Sequence, residues 1–241
     1  MLRSRGGPER VLSSAATSRR WRVACNSSSS CGAARSCDRV VLDDWASAVE
    51  VDALKAIAVR GMAAASADGA AGGPTIFDMN SGYVMAPGAR LVNLYSARDP
   101  QPIFSQQDYE LYRQVIRRLK RAVEQKFALD PAKLHFTAPT FITRLSGRNA
   151  SWRPSEPHDE YWHEHVDRAN TQHYEYSGLL YLSDFRTDFQ GGLFAFEDHL
   201  EIEPRRGRLL LFASSDENAH GVRRVTEGER FVLSRAHDES R

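Results

Sequence analysis

The chain has 241 residues, 41% of them hydrophobic, with 32 Lys and Arg against 31 Asp and Glu for a formal net charge of +1. That is enough apolar material to bury one substantial core, and so even a balance excludes a chain-wide polyanion-binding character, so no nucleic-acid partner is expected. No apolar run reaches the ~18 residues of a membrane-spanning helix or contains a hydrophobic signal core, so no transmembrane segment is expected in this chain.

Residues 1–38 are rich in Arg, Ser and Ala, carry Glu9 as their one acidic residue before Asp38, and show no apolar period. This predicts a disordered basic leader. Mitochondrial presequences share this composition with chance basic leaders, so it leaves the compartment open. Cys25, Cys31 and Cys37 lie in the leader at six-residue spacing; an odd count at that spacing matches no common zinc pattern, and they read as incidental thiols. Asn26-Ser27-Ser28 and Asn149-Ala150-Ser151 are sequons, usable only in a lumenal protein.

Residues 39–138 read as a helical support region. Trp45, Val49, Leu54 and Ile57 recur at near-helical intervals, with Asp44 placed to cap them, and Gly69-Ala70-Ala71-Gly72-Gly73-Pro74 closes the segment as a flexible loop. No Lys-Ser follows those glycines to make a phosphate cradle. A longer helix is expected from about Gln106 to Phe127, where Leu111, Val115, Leu119, Val123 and Phe127 form one stripe. The adjoining Arg117, Arg118, Lys120 and Arg121 read as a solvated face, because a nucleic-acid surface would interleave basic residues with exposed aromatics.

Beyond residue 138 short apolar runs alternate with turn residues. Ser177-Gly178-Leu179-Leu180-Tyr181-Leu182-Ser183-Asp184, Gly191-Gly192-Leu193-Phe194-Ala195-Phe196, Gly207-Arg208-Leu209-Leu210-Leu211-Phe212 and Arg230-Phe231-Val232-Leu233 read as successive strands. Residues 139–241 are therefore expected to form a small double-sheet barrel of the cupin kind, in which opposed strands bring distant side chains into one pocket.

The polar residues among these runs carry the chemistry. His165-Val166-Asp167 is followed by His220 and, ten residues later, by Arg230. Two imidazoles and one carboxylate on one face of Fe(II) leave positions open for a 2-oxo acid and O2, and a guanidinium can grip the far carboxylate of the acid. His-x-acid alone is a weak signal, because His158-Asp159-Glu160, His173-Tyr174-Glu175, His199-Leu200-Glu201 and His237-Asp238-Glu239 repeat it. His237 has no histidine after it, and His199 stands too near His220 for a sheet to form between them. Glu175, after His173, reads as a solvated strand edge, and His158 falls in a proline-broken loop. His165 and Asp167, two apart on an extended segment, would project to one side and reach one ion. His163 shares that side and reads as a neighbour of the ligands or a substrate-pocket residue, with zinc held by His163, His165 and His220 as the rival arrangement.

Residues 139–234 resemble the catalytic domain of prolyl-4-hydroxylase-like 2-oxoglutarate and Fe(II)-dependent dioxygenases, through His165-x-Asp167, Tyr181-Leu182, Gly191-Gly192, Gly207-Arg208, His220 and Arg230. A narrower likeness, to the branch of 2-oxoglutarate and iron-dependent oxygenase domain-containing proteins, rests on His158-Asp159-Glu160-Tyr161-Trp162-His163-x-His165-Val166-Asp167 and Ser214-x-x-Glu217-Asn218-x-His220. With Leu91-Val92-Asn93-Leu94-Tyr95 and Phe104-Ser105-x-x-Asp108-Tyr109, it reaches back to about residue 40.

The resemblance implies a mainly β fold with flanking helices around a double-stranded β-helix, or jelly-roll, core. It implies Fe(II) held by His165, Asp167 and His220, 2-oxoglutarate held by Arg230 with help from the Tyr181 phenol, O2 as co-substrate and L-ascorbate as reductant. The implied reaction hydroxylates a substrate and releases succinate and CO2. A peptidyl, prolyl-like side chain is the default substrate, although fold likeness alone does not license proline. The branch also implies a membrane anchor facing the secretory lumen. Leu145 departs from the pattern, standing where many such hydroxylases place another co-substrate tyrosine, and Arg208 is the next cation to consider after Arg230.

The alternative is a catalytically weak or inactive cupin-like binding module. After Ser234 the chain runs Arg235-Ala236-His237-Asp238-Glu239-Ser240-Arg241, where the family pattern continues an apolar strand. The barrel therefore reads as truncated, with a last strand that frays from Arg235 and loosens Arg230. A zinc hydrolase is disfavoured because no HExxH helix or general-base glutamate accompanies the histidines.

Overall fold

The computed structural model describes residues 10–12, 18–25, 36–67, 73–86, 90–96, 102–148, 152–153, 161–171 and 173–239. Its elements, in chain order, are β1 (Arg10–Leu12), β2 (Ser18–Trp21), β3 (Arg39–Leu42), α1 (Ala48–Ala64), β4 (Gly73–Phe77), β5 (Tyr83–Ala86), β6 (Arg90–Asn93), α2 (Gln106–Phe127), β7 (Leu134–Ser146), α3 (Asp167–Asn170), β8 (Tyr176–Tyr181), β9 (Phe189–Gly191), β10 (Phe194–Phe196), β11 (Leu200–Ile202), β12 (Leu209–Ala213), β13 (His220–Val222) and β14 (Val225–Glu239). The large sheet runs β2-β3-β12-β8-β14-β7-β4-β5-β6, with β9 pairing to β14, and the small sheet runs β1-β11-β10-β13. No helix among the described residues is long and apolar enough to cross a membrane.

The near-continuous apolar character of β12 follows from its position, because a strand covered on both faces has no polar side to present. Its residues divide with period two. Leu209, Leu211 and Ala213 join the core beneath α1 and α2, whereas Leu210 and Phe212 turn inward with Phe194, Phe196 and Ile202 of the small sheet. β14 divides in the same way, with Phe231 and Leu233 towards the helices and Val232 towards the interior. Arg230 shares the parity of Val232, so the pleat sends it inward. Each buried Leu or Phe contributes about 1.5–3 kcal/mol, so the sheet that carries the site is held by both cores.

α1 begins at a Ser47–Glu50 capping box rather than at Asp44, whose φ of 51° places it in the left-handed region. Asp44 precedes the helix by too far to reach its first N–H groups. Glu50 is also shared with α2. Arg118 hydrogen-bonds its carboxylate at 2.6 Å and, with the Ser47 contacts, holds it at about 2 in spite of partial burial. Arg118 lies over Trp45 at 4.4 Å, so this member of the basic run docks one helix on the other. Arg117 and Arg121 are exposed, as the stripe implies.

Several expectations are corrected. The basic leader contributes β2, paired antiparallel to β3 from Ser18↔Leu42 to Trp21↔Arg39, and Cys25 and Cys37 form a disulfide. Ser18-Arg19-Arg20-Trp21 has no apolar alternation because it lies at the end of the sheet, where the ladder rather than burial defines the strand. The helical support region also supplies β3 to β6, and the large sheet crosses both expected boundaries, at residues 38/39 and 138/139. At the other end, β14 does not fray after Leu233. It continues along β7 to Glu239, with β8 on its other side as far as His237, and Arg235, Ala236 and His237 are buried. Ladders on both sides satisfy its backbone, and planar polar groups are accommodated by an aromatic face: the Arg235 guanidinium lies 4.1 Å from the Phe136 ring centre and the His237 ring 5.9 Å from it.

Candidate metal centre

His220 opens β13, and its backbone pairs with that of His165 in an isolated antiparallel bridge. Val166 is extended, with φ of −111°, and Asp167 is the first residue of the α3 turn. His165 and Asp167 therefore do not share a strand, as the two-residue spacing predicted; the chain bends between them and the bend aims both at one point. His165, Asp167 and His220 offer ligand atoms that all lie within 4.8 Å of one another. Asp167 Oδ1 stands 3.5 Å from His165 Nε2 and 3.6 Å from His220 Nε2.

The opposite ring nitrogens explain this aim. His165 Nδ1 is 3.1 Å from the His163 carbonyl and His220 Nδ1 is 2.8 Å from the Asn218 carbonyl. A carbonyl only accepts, so each Nδ1 carries the proton and donates it, leaving each Nε2 lone pair directed at the centre. Ser177 donates its hydroxyl hydrogen bond to Asp167 Oδ2 and sits 2.7 Å from the Ser214 hydroxyl. Burial pushes the Asp167 carboxyl up, but the neighbouring His220 imidazole and the His165 and Ser177 hydrogen bonds outweigh it and hold the group at about 2. His165 is raised, chiefly by its contact with Asp167, while His220 is lowered, chiefly by burial. Phe194, Phe196 and Phe212 wall the His220 ring at 4.8, 6.2 and 5.0 Å between centroids. Two neutral imidazoles and a carboxylate converging from one side fit Fe(II) with positions left open.

Arg230 is buried to 2% exposure, and its guanidinium lies 5.5 Å from the Tyr181 ring centre. Arg230 Nε and the Tyr181 hydroxyl, both buried, lack a hydrogen bond of normal geometry. Burial pushes the phenol up to about 12, so it remains a donor. A buried cation and a buried donor with unused capacity are costly unless a ligand supplies the acceptor, and a bidentate carboxylate is such a ligand. Gly192, at φ +63°, makes room here: a Cβ would meet Arg230 Cδ at 3.0 Å. Leu145 faces Arg230 across the β7–β14 ladder and is buried with Phe189 and Val225, so this side of Arg230 is apolar. Tyr181 packs in the same interior cluster as Phe194, Phe196 and Phe212, the rings that wall His220, which places Tyr181 and the metal centre on one core.

The remaining candidates fall elsewhere. Arg208 is engaged with Asp43 and with the Glu203 carbonyl at 2.6 Å, so it is not the reserve cation. The His163 ring is exposed and outside the ligand cluster; it is its carbonyl that touches His165. His173 and His199 are exposed in turns. Glu175, expected as a solvated edge, is buried and paired with Arg168 at 2.9 Å. His158 and both sequons lie outside the described residues. One functional neighbour was missed. The Tyr161 hydroxyl accepts from Val225 N–H at 3.0 Å and lies within the field of Arg230, and the Tyr161 ring stacks on Trp152 and meets Trp162 edge to face. The run Tyr161-Trp162 was the signal, overshadowed by the histidines around it.

Residues 154–235 match the 2OG-Fe(II) oxygenase superfamily. Over 205 residues the chain is 36% identical to the human "2-oxoglutarate and iron-dependent oxygenase domain-containing protein 3", an alignment covering 83% of this chain and 62% of that one. The chain thus spans less than two thirds of that relative's length. Among solved structures it is similar to a Pseudomonas putida prolyl-4-hydroxylase, with a TM-score of 0.52 at 19% identity, covering 84% of this chain and 93% of that one. A Trichoplax adhaerens prolyl hydroxylase in complex with a hypoxia inducible factor oxygen degradation domain peptide fragment aligns with a TM-score of 0.52 at 12% identity, covering 83% of each chain. Both likenesses bear on the fold, and it is the mainly β barrel fold with flanking helices.

Proposed function

We propose, from the 2OG-Fe(II) oxygenase domain that the chain carries, that it is a 2-oxoglutarate- and Fe(II)-dependent dioxygenase that hydroxylates a peptidyl, prolyl-like substrate. The observation that carries this reading is the convergence of His165, Asp167 and His220 on the aromatic core that also holds Tyr181, with Arg230 buried against that phenol and Arg230 Nε and the Tyr181 hydroxyl lacking a hydrogen bond of normal geometry. His165, Asp167 and His220 would hold the iron, with His165 Nε2, Asp167 Oδ1 and His220 Nε2 the atoms that converge. Bound there, iron supplies the oxidising chemistry that couples decarboxylation of 2-oxoglutarate, with O2, to hydroxylation, yielding succinate and CO2.

The chain's own residues bind, orient and exclude. Arg230 pairs with the remote carboxylate of 2-oxoglutarate and Tyr181 donates to it, fixing the direction from which the co-substrate reaches the centre. Phe194, Phe196 and Phe212 keep water from one side of the His220 ring, and Ser177 keeps Asp167 ionised and oriented. L-ascorbate serves as reductant between turnovers. The peptide bound to the Trichoplax adhaerens neighbour supports a peptidyl substrate. The Cys25–Cys37 disulfide supports an oxidising compartment, in keeping with a secretory-pathway location.

The test is anaerobic titration of the purified protein with Fe(II) and 2-oxoglutarate. A visible charge-transfer band is expected for the wild type and absent from Asp167→Ala. Tight zinc binding with no band on iron and 2-oxoglutarate would sink the dioxygenase reading.

A further inference from the structure

The geometry points to Arg39 as a positioning residue for the His220 ligand, acting from the strand next to the N-terminal edge of the sheet through Asn218. This rests on the dioxygenase reading, since it takes His220 as an iron ligand. The Asn218 carbonyl accepts the His220 Nδ1 proton at 2.8 Å, so the direction of Nε2 depends on where residue 218 stands. Residue 218 ends the one-turn helix Asp216–Asn218, a short segment with no side-chain cap. Its backbone is held within the turn by the Asn218 N–H to the Ser215 carbonyl at 2.9 Å.

The side-chain anchor comes from β3. Arg39 Nε donates to Asn218 Oδ1 at 2.6 Å, and its terminal nitrogens donate to the Glu217 carbonyl at 2.9 Å and to both Asp198 oxygens at 2.8 Å. The guanidinium also lies 3.8 Å from the centre of the Phe196 ring, one of the walls of His220. Asn218 Nδ2 donates onward to the Ala213 carbonyl at 2.8 Å and to the Cys37 carbonyl at 3.0 Å. The Asn218 amide thus uses its acceptor and both donors at 1% exposure, and Arg39 is buried to 2%. A rigid planar fork that ties together residue 217, residue 218 and the turn at Asp198 is a task for which lysine is no substitute.

The two ligand histidines are consequently held in different ways. Each donates to a carbonyl two residues back, but the residue that offers it to His220, Asn218, is tied by its side chain to a guanidinium 179 positions earlier in the chain. Outer partners of this kind typically tune metal affinity 10–100-fold.

The experiment is anaerobic titration of the full chain with Co(II), read by its visible ligand-field spectrum and binding constant, followed by 2-oxoglutarate titration of the Fe(II)-saturated protein. Arg39→Gln is expected to weaken Co(II) binding at least about tenfold and to alter the spectrum, with 2-oxoglutarate affinity at saturating iron unchanged because Arg230 and Tyr181 are untouched. Arg39→Lys should recover only part of the loss. Arg118→Gln, which breaks the Arg118–Glu50 bridge between the helices, serves as the control, losing thermal stability with the spectrum intact. Folded Arg39→Gln with wild-type Co(II) affinity and spectrum overturns the inference. Should that variant not fold, Asp198→Asn decides on the same readouts: its acid is largely exposed, a smaller loss is expected, and wild-type values overturn the inference. A wild-type chain that binds no Co(II) refutes the dioxygenase reading itself.

Discussion

The backbones of His165 and His220 exchange both hydrogen bonds of an antiparallel bridge, each N–H donating to the other carbonyl at 2.9 Å. The relative placement of the two imidazoles is thereby set before any metal arrives, and Asp167 follows two residues later on the same segment. Iron should therefore act as a ligand that stabilises a preformed site. At free metal a hundredfold above Kd the gain is about 2.7 kcal/mol. Chelation should lower the melting temperature of iron-loaded wild type and leave Asp167→Ala unaffected; equal responses would show that the metal is held elsewhere.

Arg230 and Tyr181 divide the grip on the co-substrate unequally. Arg230→Ala should raise the 2-oxoglutarate requirement by two to three orders of magnitude while sparing iron, in line with about 3–5 kcal/mol for losing one partner of a buried charge pair. Tyr181→Phe removes one hydrogen bond, worth about 1 kcal/mol, and should cost severalfold. Arg208→Ala should instead destabilise the fold through loss of the Asp43 pairing. Calorimetric titration of the three variants separates these outcomes, and an unchanged 2-oxoglutarate affinity in Arg230→Ala would remove Arg230 from the pocket.

His237 carries the acid sensitivity of the sheet. Burial, then the neighbouring Arg235 charge, pushes its imidazole down to about 3 from the ordinary 6.5. A depressed histidine is neutral in the folded chain while the unfolded chain takes up a proton, so its contribution is complete above about 6.5 and is lost as pH falls from there towards 3. The loss amounts to a few kcal/mol at about 1.4 per pH unit. Urea denaturation at pH 7.5 and pH 4.5 should show a larger drop for the wild type than for His237→Phe; parallel drops would mean that the acid sensitivity lies in other groups.

The disulfide should be measurable as stability. Cys25 and Cys37 are separated by 12 residues, and closing a loop of that size is worth about 3 kcal/mol in the chain-entropy account. Reduction, or Cys25→Ser, should lower the melting temperature and increase hydrogen exchange in β2 and β3. No shift on reduction would mean that the β2–β3 ladder holds this edge without the covalent link.

By itself the sequence determined whatever depends on local periodicity and on the chemistry of residue types. The Leu111-to-Phe127 stripe specified α2 because burying one helix face requires that spacing, and the apolar runs after Tyr176 specified strands because turn residues separate them. His165, Asp167, His220 and Arg230 were legible as a group because few side-chain types suit iron and a carboxylate. Tertiary structure alone decided the rest. Ser18–Trp21 is a strand only because β3 offers a ladder, and the charged run Arg235–Glu239 stays in the sheet only because β7 and β8 flank it and Phe136 accepts its planar groups. Asp167 points at the histidines because the chain turns into α3 after Val166, a bend that no two-residue spacing encodes. Arg39 reaches Asn218 because β3 lies beside β12, whose end leads into the His220 turn, and hydrogen bonds between residues so far apart in sequence leave no local pattern to read.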